Sequence, residues 1–406
     1  MKYFAAIILF TPLVFAGCFG ISNEKIIEAG NVQLVDSLPG QNPFITKDNK
    51  GNVVVSWVRM INDSSSVFSY AVSPNEGRSF SKSVVIPSSS NIHPHAENLP
   101  KIIFKPSGEI IALWGASNPN PKNKHSGLVY YAQSFDEGKT WGNPKTLVND
   151  TGGYDQRYYD VALLPDGEAA IIWLDNRKTT SKEGSALYFA VTSGSNGFQN
   201  ERLISEQCCP CCRTDLFVDS KGGIHVLYRG IVQDSIRDMV HAVSVDAGKT
   251  FSKPQRISND NWVINGCPHT GPAMTENSNG LHFTWFTGGR NKGCYYTKSS
   301  NNGTGFSEPD NVSTAGSHPQ ITPVMKDALM IVWDETYNVN DKFYKRIGMQ
   351  VRPAKDGKGR KLFITDDTSI ASYPVAGSLN ETKALVAYTD KRKEKNYIAY
   401  QLIGWK

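Results

Sequence analysis

The sequence predicts an all-β chain built from one repeated four-stranded sheet, and three observations carry that reading. Glycine and proline, at 35 and 21 residues, interrupt any long helix, while 17 Tyr, 18 Phe and 8 Trp suit short strands joined by frequent turns. Apolar stretches ending in an aromatic residue recur at Trp57, Trp114, Trp173, Tyr228, Trp285, Trp333 and Tyr388, at spacings of 48 to 59 residues. Most of these stretches follow a turn signal such as Pro106-Ser107-Gly108, Pro165-Asp166-Gly167 or Lys221-Gly222-Gly223, which makes each the second arm of a hairpin. A hydrophobic content of 39% with 20% charge excludes a disordered chain and a polytopic membrane protein. The 43 Lys and Arg against 38 Asp and Glu are spread along the chain, so no basic arm points to nucleic acid.

Taken in chain order, Lys2 precedes an apolar run over residues 3–15, then Ala16, Gly17 and Cys18. This is the layout of an export signal, and it is too short for a membrane span of about 20 residues. It resembles a bacterial lipoprotein signal, with Phe15 where Leu is usual. The resemblance implies acylation at Cys18 and a membrane-anchored, extracytoplasmic protein, periplasmic or on the cell surface. The alternative is ordinary cleavage after Val14-Phe15-Ala16, which releases a soluble secreted form. Residues 19–30 then form a short tether, and 31–406 a single domain.

Within that domain each repeat reads as a strand, a turn, the apolar stretch, a polar loop and a third strand, at 67–72, 128–133, 186–192, 239–243 and 295–298. The loop after the third strand carries a second signature. Residues Ser134 to Trp141 and Ser244 to Phe251 share the form Ser-x-Asp-x-Gly-x-Thr-aromatic. Weaker copies run from Ser73 to Phe80, with Asn75 for the acid, and from Ser299 to Phe306, with Asn301 for the acid and Gly305 for Thr. An Asp or Asn can bond amides two residues on, Gly permits positive φ, and the closing aromatic packs between units. The signature resembles the Asp-box, or bacterial neuraminidase repeat, of sialidase-superfamily β-propellers. That resemblance implies a structural role for the boxes, on the face away from the ligand.

Counting hairpins gives a β-propeller of seven four-stranded blades, with the six of standard sialidases as the alternative. The last repeat ends one strand short, and residues 31–36 read as the lone strand that completes it and closes the ring.

In a propeller the loops leading into the innermost strands line a shared funnel. Here they contain His93, His95, Glu97 and Asn98 in blade 2; Asp155, Arg157, Tyr158, Tyr159 and Asp160 in blade 3; and Cys208, Cys209, Cys211, Cys212 and Arg213 in blade 4. Blade 5 supplies Asn265, Cys267 and His269, blade 6 His318 and Gln320, and blade 7 Tyr373. The neighbouring loops add His125, Arg177, Arg229, Arg237, Arg290, Cys294 and Glu335. Asn98, Arg157, Tyr158, Arg213, Asn265 and Gln320 are candidate ligand-binding residues for a small molecule or glycan. Four thiols in five residues beside imidazoles suit a soft ion such as copper or zinc, so His93, His95, Cys208, Cys209, Cys211, Cys212, Cys267, His269 and His318 are candidate metal ligands. The competing reading of the same cysteines is disulfides, with Cys267 and Cys294 one pair.

A sialidase needs arginines for the substrate carboxylate, a tyrosine nucleophile with its glutamate, and an acid. Glu97, Arg157, Tyr159, Asp160, Arg213, Arg229 and Arg290 are the candidates for such a site. The first blade carries Asn42-Pro43-Phe44 where the sialidase domain starts with an Arg-Ile-Pro type sequence, and no family catalytic residue transfers. Three functions stay open: a binding or metal-handling propeller, a sialidase-like glycosidase or other carbohydrate-active enzyme, and a structural propeller with every cysteine bridged.

Overall fold

The computed structural model describes residues 27–405 except Asn91, Pro94, Asn120, Lys122, Asp150, Thr151, Gly153, Tyr154, residues 178–183, Lys355 and Asp356. The expected export signal and Cys18 lie outside the described residues. Seven antiparallel sheets follow one another along the chain, each running in order from its innermost to its outermost strand. The innermost strands are Gly40–Lys47, Lys101–Phe104, Gln156–Leu163, Asp215–Val218, Ala273–Asn277, Gly316–Val324 and Ala371–Asn380, which define blades 1 to 7. The architecture is a seven-bladed β-propeller.

Its core lies between blades. One apolar cluster fills each of the seven blade interfaces, including the one where blade 7 meets blade 1 through Val375, Leu385 and Tyr400 against Val55 and Trp57. Strands in the middle of a blade are therefore covered on both faces, and Ala169–Asp175 is buried along its whole length. That is why these segments read as continuous apolar runs rather than alternating ones. The repeating aromatics Trp57, Trp114, Trp173, Tyr228, Trp285, Trp333 and Tyr388 are all at most 2% exposed. They are the large, fixed units that set blade spacing.

The ring closes in blade 7, with a correction to the expected strand. Two short strands, Ile27–Ala29 and Gln33–Leu34, pair antiparallel with Lys395–Trp405, placing Ile27 opposite Trp405 and Gln33 opposite Tyr400. Pairing thus starts inside the segment expected to be tether, and it is interrupted around Gly30, whose amide still bonds the Leu402 carbonyl at 2.8 Å.

All four Asp-boxes form the same turn on the face opposite the funnel. In the strong copies Asp136 accepts the Thr140 amide at 2.8 Å and Asp246 the Thr250 amide at 2.9 Å, while Ser134 and Ser244 accept the amides of Gly138 and Gly248. The Thr140 hydroxyl and amide hold the Asp136 carboxyl down at about 2. Asn75 and Asn301 accept the amides of Ser79 and Gly305 in the degraded copies. Gly248 has φ 78° and lies so close to blade 3 that a Cβ would meet Phe189 at 2.4 Å. Phe251 stacks edge-on against the same Phe189 ring, so box and preceding blade interlock.

Candidate functional site in the central funnel

Entrances to four innermost strands share a local device. Asn42, Tyr158, His318 and Tyr373 each adopt left-handed φ, at 62°, 53°, 52° and 53°, beside a register shift in the strand pairing. Each of these amides is held by the preceding blade: Asn42 by the Thr389 hydroxyl, Tyr158 by Asn98 Oδ1, His318 by the Thr270 hydroxyl and Tyr373 by Asp334. The strain of a non-glycine left-handed residue is thereby fixed by a hydrogen bond across the blade boundary, and side chains at the funnel are aimed as a group.

At the centre, Glu97 and Arg213 form a buried ion pair at 2.7 Å. The second Glu97 oxygen accepts the amides of Arg213 at 3.2 Å and Gly271 at 2.6 Å, and the guanidinium also donates to the carbonyls of Gly271 and Pro319. Loops of blades 2, 4, 5 and 6 meet on this pair. Arg213 directly follows the cysteine run, so the pair anchors that loop.

The run itself leaves the outer strand of blade 3, Phe198–Cys208, and docks on blade 4 through the Cys209 amide and the Arg229 carbonyl at 2.8 Å. Cys208 turns into the apolar interface with Leu187 and Tyr228, where burial pushes its thiol up. Cys209, Cys211 and Cys212 turn the other way and form a buried group whose sulfurs all lie within 4.8 Å of one another, with Cys209 and Cys211 at 3.6 Å. Hydrogen bonds from the Cys211 and Cys212 thiols, aided by the nearby Arg229 and Arg237 guanidiniums, hold Cys209 well below the ordinary thiol range. Its bonds to the other two thiols push Cys211 up, and burial does so for Cys212.

No disulfide joins any of the six described cysteines. Cys267 is exposed, whereas Cys294 is sealed in the interface between blades 5 and 6.

Three imidazoles gather at the funnel. His95 packs against His269 with ring centroids 4.9 Å apart, against His93 at 6.0 Å and against Tyr158 at 5.6 Å. Burial, with His269 alongside, pushes His95 down to about 4. His318 stands apart from them, bonded to Asp334 at 2.9 Å and stacked on Tyr373. Burial opposes a charge on that ring, but Asp334 outweighs it and raises the pKa above the usual histidine value.

The candidates for a sialidase-type centre are committed elsewhere. Arg229 donates to the carbonyls of Arg237, Thr270 and Phe286, Arg157 pairs with Asp155 and Arg290 with Asp260. The Tyr159 hydroxyl bonds the Leu99 and Leu113 carbonyls, and Asp160 pairs with Lys101 at 2.5 Å. Asn98 is spent on the Tyr158 amide, Asn265 is exposed, and Gln320 sits half-buried in the blade 6 inner strand. Sequence reasoning missed the chain Asp219, His225 and His241 on the far side of blade 4, linked at 2.9 Å and 2.9 Å. Both histidines alternate with apolar residues on their strands, the pattern of a buried position, and both are buried.

No family model and no curated protein matches the sequence. Solved structures do match its shape. A protein of unknown function from Dyadobacter fermentans aligns with TM-score 0.54 and 13% identity over 94% of this chain and 99% of its own. This chain has the fold of the sialidase-like propellers. The intramolecular trans-sialidase from Ruminococcus gnavus aligns at TM-score 0.53 and 8% identity over 92% and 97% of the two chains. The polysaccharide lyase Uly1 aligns at 0.54 and 12% over 91% and 90%. At such identities the likeness is one of fold.

Proposed function

We propose that this propeller binds a soft metal ion, copper or zinc, on Cys209, Cys211 and Cys212 in its central funnel. The observation that carries the reading is the convergence of three buried sulfurs within 4.8 Å beside the guanidiniums of Arg229 and Arg237. Thiolates are soft donors that select such ions over calcium or magnesium, and the arginines offset the charge of the sulfurs. The extracytoplasmic location expected from residues 2–18 adds a second argument, since closely spaced thiols outside the cytoplasm oxidise unless a ligand occupies them. Metal analysis of protein purified without chelator tests the reading. It predicts about one equivalent of copper or zinc, released by acid and reduced in Cys211→Ser with the ring intact. Metal-free wild type in which alkylation finds no thiol would overturn it.

A glycan in the funnel is the second reading, favoured by the fold shared with a trans-sialidase and a polysaccharide lyase. Committed arginines weigh against a carboxylated sugar held in the sialidase manner. Turnover of a chromogenic sialoside or a uronic-acid glycan decides it. We further propose that Cys18 carries a lipid anchor, which labelling with palmitate in wild type and Cys18→Ala tests.

A further inference from the structure

We infer that the sulfurs of Cys209, Cys211 and Cys212 form a three-coordinate site for monovalent copper, Cu(I), that discriminates against zinc. This rests on the thiolate reading proposed above and fixes which ion the site takes and with how many ligands.

Four cysteines in five residues would make a tetrahedral zinc site if all four sulfurs met, and the fold prevents it. Cys208 is the last residue of the strand Phe198–Cys208, and neighbouring side chains on an extended chain point to opposite sides. Cys208 therefore enters the apolar interface of blades 3 and 4, with Leu187, Tyr228 and Val240, while Cys209 faces the other way. The turn at Pro210 and Cys211 then folds the chain back, so Cys211 and Cys212 rejoin Cys209 and not Cys208.

Three sulfurs are then the whole donor set. Among the described residues no further His, Cys, Asp or Glu brings a ligand atom into the group. Cys209, Cys211 and Cys212 are 1%, 4% and 1% exposed, so water has little access to a fourth position. Metal-to-sulfur bonds of about 2.3 Å in a trigonal plane set the sulfurs about 4 Å apart. The group matches that size, with Cys209 and Cys211 at 3.6 Å and all three sulfurs within 4.8 Å of one another. Structural zinc is almost always four-coordinate, whereas Cu(I) needs no fourth ligand and is a soft partner for thiolates.

A buried cation stands beside the group to balance its charge. The Arg229 guanidinium is buried within electrostatic reach of Cys209 and Cys212. Its described hydrogen bonds go to the carbonyls of Arg237, Thr270 and Phe286, none to a carboxylate, and its Nε is buried with no acceptor. A copper ion on three thiolates carries net negative charge, which that guanidinium offsets.

Competition titration of the reduced full-length protein without oxygen measures the preference, with Cu(I) set against bathocuproine disulfonate and Zn(II) against a chromogenic zinc chelator. Expected is one equivalent of Cu(I), bound at least about a hundredfold more tightly than Zn(II). X-ray absorption of the copper-loaded protein should show sulfur neighbours only, a result that needs no variant. Cys208→Ala should keep the Cu(I) affinity and Cys212→Ser should lower it at least about tenfold, with circular dichroism confirming the ring in both. Zinc held as tightly as Cu(I), a nitrogen or oxygen neighbour on the copper, affinity lost in folded Cys208→Ala or affinity kept in Cys212→Ser would each overturn the inference and leave the thiolate reading standing. Reduced protein that binds neither ion overturns both.

Discussion

Glu97 grips Arg213 at 2.7 Å with one oxygen and the Gly271 amide at 2.6 Å with the other, so a single buried carboxylate fastens three blades of the ring. Removing either partner strands a charge away from water. Glu97→Ala and Arg213→Ala are each expected to lose about 3 to 5 kcal/mol in urea denaturation. The double variant should lose less than the sum, since neither charge is then left alone.

The Asn98 side chain holds the Tyr158 amide at 2.9 Å in its left-handed turn. Asn98→Ala leaves that amide unpaired, an expected cost of about 1 to 3 kcal/mol. Hydrogen exchange should locate the loosening at residues 156–160 and not in the Asp-boxes.

On the opposite face, Gly248→Ala meets both a positive φ and the Phe189 ring, and about 2 to 4 kcal/mol of stability should go. Trp141 is only half-buried, so Trp141→Ala should cost about 1 to 3 kcal/mol, below the range for a fully enclosed ring. Neither change should alter metal content. Metal loss with unchanged stability would place the site on the wrong face.

Acid should act through the buried imidazoles. Burial pushes His241 to about 3 and His282 to about 4, against about 6.5 in the unfolded chain. Below pH 6.5 the unfolded state takes up protons that the fold refuses, so their contribution is full above about 6.5 and lost as pH falls. Asp215, raised to about 7 by burial and by Asp160, has the opposite sign and is lost as pH rises toward 7. The clean measurement is therefore a difference. The unfolding free energy of wild type minus His282→Gln should shrink between about pH 6.5 and 4, by up to about 1.4 kcal/mol per pH unit.

Much of the fold is legible in the sequence because its signals are local. The aromatic that ends each apolar stretch is the ring buried at each blade interface, and the Asp-box turn is specified within eight residues. The closing strand was legible only in part, since Ile27–Ala29 is only three residues long and is defined by its partner, Lys395–Trp405. At the funnel, sequence reasoning collected loops that the structure brings together, but not their pairings. That Arg213 belongs to Glu97, or that Cys208 turns away from Cys209, depends on contacts across blades that no short window contains. Assignment to one face of one blade also suggested joining Cys267 to Cys294, of which the first is exposed and the second buried.

The pairing of Ile27 with Trp405 has a consequence for how the molecule is made. Every other blade can assemble from neighbouring sequence, but this one joins segments that are nearly a full chain apart, and such contacts form slowly. Until they form, the arc of blades has two raw sheet edges, each able to capture another molecule's strand. The seam is thus where a newly made chain is most exposed to misassembly, and where two copies would exchange strands if held at high concentration before closing.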